Sequence, residues 1–395
     1  MQCRHLRIRP LVHLYSRILG ELMRIVVDIN HPGHVHYFKQ FIWEMKERGH
    51  DVLITASEKD ITFKLLENYH LDFENMGTYG TSLISKLANI PIIDIRYYQL
   101  MKSFKPDIFV GFGSIRAAHV SFLLRKPCIN FEDTEHSTEQ IRLYLPFVDA
   151  VCTPSCYTQD LGKKQIRFDG YMELASLHPN YFNPDPAVLT ELGLDKDDNI
   201  FLVRFAAFDA SHDTKTEHFD KRYIPNLISK LEDKGTVVIS SEIKLNPDLQ
   251  KYQYRLSPDR YHDLLYFSKM YVGEGSTSAL EAAVLGTPAI NFERIVIKGK
   301  KYSFADFSDV IAEFQNKYGL INCYYDEVMM LEKIDEYIDM GFDIVKLQAK
   351  ENKERLLNDT IDVTKFMIWF IENYPQSFNQ MRENPKIQDK FSNRS

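Results

Sequence analysis

Short apolar runs alternate along the chain with longer segments whose apolar residues recur at helical spacing. The first runs, RIVVDI at 24–29 and DVLITA at 51–56, are rich in β-branched residues and bounded by turn residues. Between them, the apolar spacing predicts a helix over 35–48 that stops at Gly49. This alternation is typical of βαβ units in a parallel sheet.

The pattern continues to about residue 168, and a second series follows after an interruption. In the first series we also predict strands at 107–112, 127–131 and 149–153, and helices over 58–69, 82–104 and 115–124. Pro91 should break or kink its helix, because proline lacks a backbone donor. In the second series we predict strands at 200–205, 236–240, 266–273 and 288–292, and helices over 219–233, 277–285 and most of 304–374.

These elements predict an α/β fold of two Rossmann-like domains that face each other across a cleft. The predicted parts are an extension at 1–22, an N-terminal domain at 23–168, a connector at 169–198, a C-terminal domain at 199–358, an apolar helix at 359–375 and a polar, mobile tail at 376–395. Ligands of such sheets bind at the carboxyl ends of the strands. Candidate residues should therefore lie in loops that follow strands.

Charge and cysteine content narrow the classes of function. The formal net charge of −7 argues against a nucleic-acid partner. Cys152 and Cys156 have no second pair nearby, so neither a disulfide framework nor a zinc site is expected there. No run approaches the roughly 20 apolar residues of a membrane span. Residues 1–22 lack the apolar core of a secretory signal, and we expect them to be dispensable; a basic membrane-surface segment is the alternative.

The strongest motif is VGEGSTSALEAAVLGTPAINFE at 272–293, in which a strand, a small-residue loop and an apolar helix follow one another. Small residues let a diphosphate approach the backbone, and the free N–H groups of a helix start bind anions. The predicted diphosphate site comprises Gly275, Ser276, Thr277 and Ser278. Glu281 is the only ionisable residue in this helix, and it either contacts the ligand or forms a capping box with Ser278.

Three loops of the N-terminal domain carry further candidates. In NHPGHVH at 30–36, Gly33 and His34 suit acceptor contact or proton transfer; the alternatives are a solvated turn and a metal site. In GFGSIRAAH at 111–119, Gly113, Ser114 and Arg116 suit a phosphate group, and a solvated helix face competes. In FEDTEH at 131–136, Glu132 suits acid/base work or sugar positioning, and a solvated acidic loop competes.

Two cations of the C-terminal domain complete the set of candidates. Arg204 ends the first strand of this domain and is followed by Asp209 and His212, while Lys244 lies after the next strand. Arg204 or Lys244 would stabilise a leaving diphosphate. A structural ion pair is the competing account of Arg204.

The small-residue loop, E-A-A at 281–283 and G-T-P at 286–288 resemble the nucleotide-sugar site of GT-B glycosyltransferases. They resemble both the N-acetylglucosaminyltransferase that makes lipid II and the UDP-N-acetylglucosamine 2-epimerases. In those families, the glutamate that matches Glu281 bonds the ribose hydroxyls, and Glu132 also has a counterpart. Most of 23–370 resembles a prokaryotic family catalogued as domain of unknown function 354. The resemblance implies the GT-B fold, with the helix at 359–375 returning to the N-terminal domain.

The chain departs from the epimerases at two places. FAAFDASHD at 205–213 stands where they carry an H-R-R-E-N segment, and Ser114 stands where they place an aspartate. Eliminating and re-adding UDP needs several acid/base groups, so both losses count against epimerase chemistry. The only D-x-D, Asp195 and Asp197, lies in the connector, which disfavours a metal-dependent GT-A transferase.

The favoured function is therefore glycosyl transfer from a nucleotide-diphosphate sugar, UDP-linked, without a metal or other cofactor, in which His34 or Glu132 activates the acceptor. An epimerase-like or hydrolytic enzyme on the same donor and a non-catalytic nucleotide-sugar binder are the alternatives. The resemblance also implies an acceptor in surface-polysaccharide or glycoconjugate synthesis, with a lipid-linked glycan as one example. It implies a cytoplasmic location, with peripheral contact to the inner face of the membrane.

Overall fold

The structure is a computed structural model that describes residues 22–78, 80, 83–206, 216–242 and 244–392. The predicted extension at 1–22, except for Leu22, lies outside the described residues, as do Asp209 and His212. Within the described part, no helix is long and apolar enough to span a membrane.

Seven strands, all paired in parallel, form the sheet of the N-terminal domain in the order β3-β2-β1-β4-β5-β6-β7. They are β1 (Arg24–Ile29), β2 (Asp51–Ala56), β3 (Glu74–Asn75), β4 (Ile108–Phe112), β5 (Cys128–Phe131), β6 (Ala150–Pro154) and β7 (Gln165–Phe168). The central strands are apolar along their length because helices cover both faces of the sheet.

Five helices connect these strands, and their starts show how the sequence positions the loops. They are α1 (Pro32–Glu47), α2 (Thr62–Asn68), α3 (Leu83–Phe104), α4 (Ile115–Leu124) and α5 (Thr138–Tyr144). Helix α1 starts three residues earlier than predicted, because the His31 side chain accepts a hydrogen bond from the Gly33 N–H and caps it. Helix α3 continues through Pro91, which is exposed, so water can reach the carbonyl that the proline leaves unpaired.

The connector is well packed. It contains α6 (Leu174–Leu177) and α7 (Ala187–Glu191), and every residue of α6 is buried. Helix α6 packs on α1, so the connector contributes to the floor of the cleft between the domains.

Five further strands, again all parallel, form the sheet of the C-terminal domain in the order β10-β8-β11-β12-β15. The strands of this sheet are β8 (Ile200–Phe205), β10 (Thr236–Ser241), β11 (Met270–Gly273), β12 (Ala289–Phe292) and β15 (Ile321–Tyr324). A small antiparallel sheet consists of β9 (Thr216–Glu217), β13 (Arg294–Ile297) and β14 (Lys300–Tyr302), with β13 in the middle. The helices are α8 (Ile224–Glu232), α9 (Tyr261–Phe267), α10 (Ser276–Val284), α11 (Asp309–Glu313), α12 (Glu327–Met340) and α13 (Phe342–Asp359).

Two predictions for the C-terminal domain were wrong in detail. The strand predicted at 266–273 occupies only Met270–Gly273, because Tyr266 and Phe267 end α9. The helical prediction for 304–374 missed β15, a four-residue edge strand that is too short for its own periodicity to show. The prediction of two Rossmann-like α/β domains that face each other is confirmed.

The last described residues pack on the N-terminal domain. Helix α14 (Val363–Glu372) packs against α1 and α6, and α15 (Gln376–Glu383) follows it. The prediction of a mobile tail was wrong for residues 376–392. Met381 is buried, and the Gln388 side chain accepts a hydrogen bond from the Asp169 N–H, so a few well-spaced contacts hold this polar segment in place.

Candidate functional site

The carboxyl ends of both sheets border one cleft. A Cβ atom added to Gly33, in the first turn of α1, would lie 3.9 Å from Cγ2 of Thr277 in the first turn of α10. Polar contacts also join the domains, since the Asn68 side chain donates to Asp259 at 2.6 Å. The structure therefore brings together the first-strand loop and the small-residue loop, which are more than 200 residues apart in the sequence.

The small-residue loop leaves the start of α10 without a side-chain cap. The helix begins at Ser276 with Gly275 as its N-cap, and glycine has no side chain that could accept from the first N–H groups. The Tyr271 hydroxyl donates to the Gly275 carbonyl at 3.4 Å and leaves those N–H groups unaffected. Gly275 has φ of +97°, a left-handed conformation that favours glycine. The capping box proposed for Ser278 and Glu281 is wrong, because Ser278 already lies inside the helix. The first N–H groups of α10 thus remain available to an anion in the half-buried loop.

Arg204 lies beside this helix start. A Cβ atom at Gly275 would be 3.2 Å from Nε of Arg204, and among the described residues that buried Nε has no hydrogen-bond partner. The far end of the guanidinium is held by Glu242 and by Ser240, whose Oγ is 3.3 Å away. Arg204 is therefore both the predicted cation beside the loop and a member of an ion pair with Glu242. Lys244 is exposed on the loop after β10.

Glu281 does not face solvent. It is buried, and its Oε1 lies 3.1 Å from Nε2 of His262 on α9. The ring of His36, from α1 of the other domain, packs edge-on against His262 with ring centroids 4.3 Å apart. Nothing in the sequence linked His262 to Glu281, because the contact arises only when α9 packs on α10.

His34 is buried in the first turn of α1. Its Nδ1 accepts a hydrogen bond from the Asn30 N–H at 3.3 Å, and its ring packs on Phe112. Burial, and then the nearby charge of Lys59, lower its pKa to about 3, so the ring is neutral at physiological pH. With Nδ1 accepting, the proton is on Nε2, so this nitrogen of His34 is a hydrogen-bond donor. The predicted solvated turn does not describe this histidine.

Arg116 and Ser114 bind a carboxylate that the sequence analysis missed. Asp28, at the end of β1, is completely buried and accepts from Nε of Arg116 at 2.8 Å and from Oγ of Ser114 at 2.5 Å. Thr55 also donates to Asp28, at 2.6 Å. The solvated helix face considered for Arg116 is wrong, since its side chain has no exposed surface. Its guanidinium joins β1 to α4, and this geometry does not support the predicted phosphate contact.

Glu132 is buried at the end of β5 beside Gly113. Its carboxylate accepts hydrogen bonds from the Thr134 N–H at 2.9 Å and from the Tyr144 hydroxyl at 2.9 Å. Burial, with a contribution from Asp133, raises the pKa of Glu132 to about 8. Gly113 has φ of +51°, and a Cβ there would lie 3.1 Å from the Glu132 carboxylate. A group whose pKa lies near neutrality suits proton transfer, and the solvated acidic loop is wrong for Glu132.

A second carboxyl group of this kind comes from the connector. Glu173 is buried, and its Oε1 accepts from the Tyr37 hydroxyl at 3.1 Å. Its Oε2 has no hydrogen-bond partner within the described part of the chain, and burial raises the pKa of Glu173 to about 8. No sequence signal marked it, because a single glutamate in a turn-rich segment is usually exposed.

Solved structures with the same architecture define the class of fold. UDP-GlcNAc 2-epimerase from Neisseria meningitidis, bound to UDP-GlcNAc, is similar with a TM-score of 0.58 and 13% identity, over 88% of this chain and 99% of the other. The glycosyltransferase SsfS6 of Streptomyces sp. SF2575 is similar with a TM-score of 0.55 and 14% identity, over 89% of this chain and 100% of the other. The chain therefore has the GT-B fold, as predicted.

The family follows from sequence. Residues 23–294 match the model of the family described as "Protein of unknown function (DUF354)", and the chain belongs to this family. An uncharacterized protein of Methanocaldococcus jannaschii is 29% identical over 278 residues, which are 67% of this chain and 80% of that protein. The predicted family resemblance is confirmed.

Proposed function

We propose that this protein transfers a glycosyl group from a nucleoside-diphosphate sugar, UDP-linked, to an acceptor hydroxyl in surface-polysaccharide or glycoconjugate synthesis. The observation that carries the proposal is the uncapped start of α10, with the Arg204 side chain beside it and the first-strand loop opposite. The similar structures support it, because a UDP-GlcNAc 2-epimerase and a glycosyltransferase share the fold.

The donor diphosphate binds the N–H groups and hydroxyls at Ser276, Thr277 and Ser278. Arg204 directs its Nε–H toward Gly275 and supplies positive charge where the diphosphate gains negative charge as it leaves. We propose Lys244, exposed on the loop after β10, as a second cation. In this arrangement the protein stabilises the leaving group with its own donors.

In the transfer step, the acceptor oxygen bonds to the anomeric carbon while the bond from that carbon to the diphosphate oxygen breaks. The acceptor's proton passes to a base, for which we propose ionised Glu132. A pKa of about 8 leaves part of this carboxyl ionised at neutral pH and makes the ionised form basic. His34 acts instead as a neutral donor to the acceptor or sugar, because Asn30 occupies its Nδ1.

Epimerase-like chemistry is the second candidate. The observation that favours it is the group of buried carboxyls around β5, where the pKa values of Glu132, Asp133 and Glu135 are raised to about 8, 6 and 8. Elimination and re-addition of UDP at the sugar need more than one such group. The replacement of the epimerase aspartate by Ser114, which here bonds Asp28, argues against it.

The test begins with calorimetric titration of UDP into the full chain. Arg204→Met should weaken UDP binding by about one to two decades, since a charge-assisted hydrogen bond contributes roughly 1.5–3 kcal/mol. Arg222→Met is the matched control, because Arg222 is an exposed arginine of the same domain whose partner is Asp220. Equal UDP affinity in wild type and Arg204→Met would remove the proposed diphosphate site.

Turnover then separates the two candidates. The protein is incubated with UDP-N-acetylglucosamine, with and without a lipid-linked glycan extract, while UDP release and the sugar configuration at C2 are followed by NMR. UDP release that depends on the extract supports transfer. Conversion at C2 without the extract supports the epimerase and contradicts transfer.

A further inference from the structure

Three potential metal ligands from both domains meet in the cleft. His36 lies on α1 of the N-terminal domain, while His262 on α9 and Glu281 on α10 come from the C-terminal domain. One ligand atom of each side chain lies within 4.8 Å of those of the other two. All three side chains are at least nine-tenths buried.

The imidazole nitrogens in this cluster lack ordinary partners. Within the described ranges, Nδ1 of His36 and Nε2 of His262 make no hydrogen bond. Nε2 of His262 is 3.1 Å from Oε1 of Glu281, but the two atoms are not aligned as donor and acceptor. Burying nitrogens without hydrogen bonds is unfavourable. A metal ion among these side chains would give both nitrogens a partner.

We propose that His36, His262 and Glu281 form a binding site for a divalent transition metal, Zn²⁺, that bridges the two domains. Two imidazoles and one carboxylate are a common ligand set for Zn²⁺, with the fourth position left for water or another ligand. Zn–N bonds of about 2.0–2.1 Å place tetrahedral ligand atoms about 3.3 Å apart. The widest separation in the cluster therefore has to close by about 1.5 Å, which small side-chain and domain movements supply.

The site differs from the one that the histidine-rich loop suggested. That alternative used His31, His34 and His36, but the structure brings only His36 to the cluster. His31 caps α1, and Nδ1 of His34 accepts from Asn30. The partners that replace them come from the other domain, so a complete site exists only when the cleft is closed.

One nearby charge opposes the metal. Lys39 is one turn after His36 on α1, is buried, and places its ammonium 4.4 Å from the centre of the Tyr69 ring. Because His36 and Lys39 are three residues apart on α1, their side chains lie on the same face of the helix. A cation at the cluster is repelled by this ammonium, so removing the charge should increase metal affinity.

The experiment is a calorimetric titration of Zn²⁺ into the full chain after EDTA treatment and removal of the chelator. Wild type should bind one equivalent of Zn²⁺. The Zn²⁺ affinity should fall by at least about 10- to 100-fold in each of the variants His36→Gln, His262→Gln and Glu281→Gln, since even outer-shell partners of metal ligands have effects of that size. Lys39→Met should bind more tightly. His70→Asn is the control for surface histidines, because His70 is exposed, and it should bind as wild type does.

Visible absorption of the Co²⁺-loaded protein provides a second readout, since tetrahedral Co²⁺ absorbs strongly and octahedral Co²⁺ weakly. The strong absorption should appear in wild type and be lost in His36→Gln. Melting temperatures measured in EDTA identify variants that fail to fold. If His262→Gln fails to fold, His36→Gln and Glu281→Gln are sufficient to test the proposal. The proposal would be overturned if wild type had no stoichiometric Zn²⁺ site, or if all three ligand variants bound Zn²⁺ as tightly as wild type. These readouts need no nucleotide, so the inference stands or fails independently of the proposed function.

Discussion

Single buried charges organise the N-terminal half of the cleft. Asp28 has no exposed surface, yet it accepts hydrogen bonds from Arg116 on α4, from Ser114 at the N-cap of that helix and from Thr55 on β2. An aspartate at the end of an apolar strand is visible in the sequence, but, apart from the neighbouring Asn30, its partners are 27 to 88 residues away. The chemistry of the residue could be predicted, whereas its partners depend on the packing of α4 on the sheet.

Breaking this buried pair should be costly. Arg116→Met leaves Asp28 charged and buried, so we expect a loss of about 3–5 kcal/mol in the free energy of unfolding, measured by urea denaturation. Asp28→Asn combined with Arg116→Met should lose less than the sum of the single changes. Arg222→Met, which breaks an exposed pair with Asp220, should leave the free energy of unfolding nearly unchanged. Additive losses would show that the two buried side chains are not energetically coupled.

The pKa of Glu132 makes stability depend on pH. The unfolded chain releases this proton near pH 4.5, but the folded protein does so near 8. The contribution of protonated Glu132 is therefore complete below pH 4.5 and is lost as the pH rises to 8. A pKa difference of one between the folded and unfolded states corresponds to about 1.4 kcal/mol, so the whole effect amounts to several kcal/mol.

Glu132→Gln should remove this dependence, because glutamine stays neutral and the Tyr144 hydroxyl can turn to accept from its amide. Melting temperatures measured between pH 4.5 and pH 8 should show the variant gaining stability relative to wild type as the pH rises. Parallel curves for the two proteins would mean that Glu132 already ionises at its ordinary pKa in the folded state.

At the scale of elements, the regular strands could be predicted and the short or irregular pieces could not. β1, β2, β4 and β8 are mostly apolar runs that contain β-branched residues, and their bounds lie within one residue of the prediction. β15 and the sheet of β9, β13 and β14 were missed, because these strands have only two to four residues and no proline marks their start. The equally short β5 and β12 were predicted because each follows a proline, Pro127 or Pro288. The helix α10 starts one residue earlier than predicted, at Ser276. A serine can either cap a helix or begin one, and here the left-handed Gly275 is the N-cap, so Ser276 begins the helix.

The C-terminal helices show the same limit. The apolar face of α14 was visible in the sequence, while the packing of α15 depends on a few contacts such as that of Gln388 with the Asp169 backbone. Phe366 on α14 is fully buried and stacks on Phe168 of β7, with ring centroids 5.5 Å apart.

Phe366→Ala should reduce the free energy of unfolding by about 3–5 kcal/mol, because it leaves a cavity between α14 and the sheet. Lys365→Ala, at the exposed neighbouring position, should change it by no more than about 1 kcal/mol. Chemical denaturation of both variants measures the difference. A loss for Phe366→Ala no larger than that for Lys365→Ala would mean that α14 is not anchored through this contact.

At the scale of the whole molecule, the cleft is closed by contacts between domains. Asn68 donates to Asp259, the Thr158 N–H donates to Asp309 at 2.8 Å, and the rings of His36 and His262 are in contact. The sequence predicted which loops border the cleft, because loops after parallel strands share one edge of each sheet. It could not predict which residues touch across the cleft, since that depends on the relative orientation of two domains.

Glu281 is the residue for which the two proposals make opposite demands. For the nucleotide complex we propose that its carboxylate accepts hydrogen bonds from the ribose hydroxyls, the role that the sequence resemblance led us to expect. In the structure the same carboxylate faces His262, beside His36 of the other domain. A bridging Zn²⁺ would take one of the two carboxylate oxygens and hold the side chain toward His262, so we expect Zn²⁺ to oppose the ribose contact and to weaken UDP binding. Coupling between two ligands is reciprocal, so each should weaken the other by the same factor.

The expected result is that saturating Zn²⁺ lowers the UDP affinity of wild type at least about tenfold in a calorimetric titration. His36→Gln should bind UDP as wild type does without metal and should lose the antagonism, because the bridge between domains needs His36. Glu281→Gln should weaken UDP binding by about one to two decades with or without Zn²⁺. If Glu281→Gln instead binds UDP as tightly as wild type and Zn²⁺ has no effect on it, the nucleotide does not contact Glu281. The diphosphate site at the start of α10 would then have to be supported by the Arg204→Met result alone.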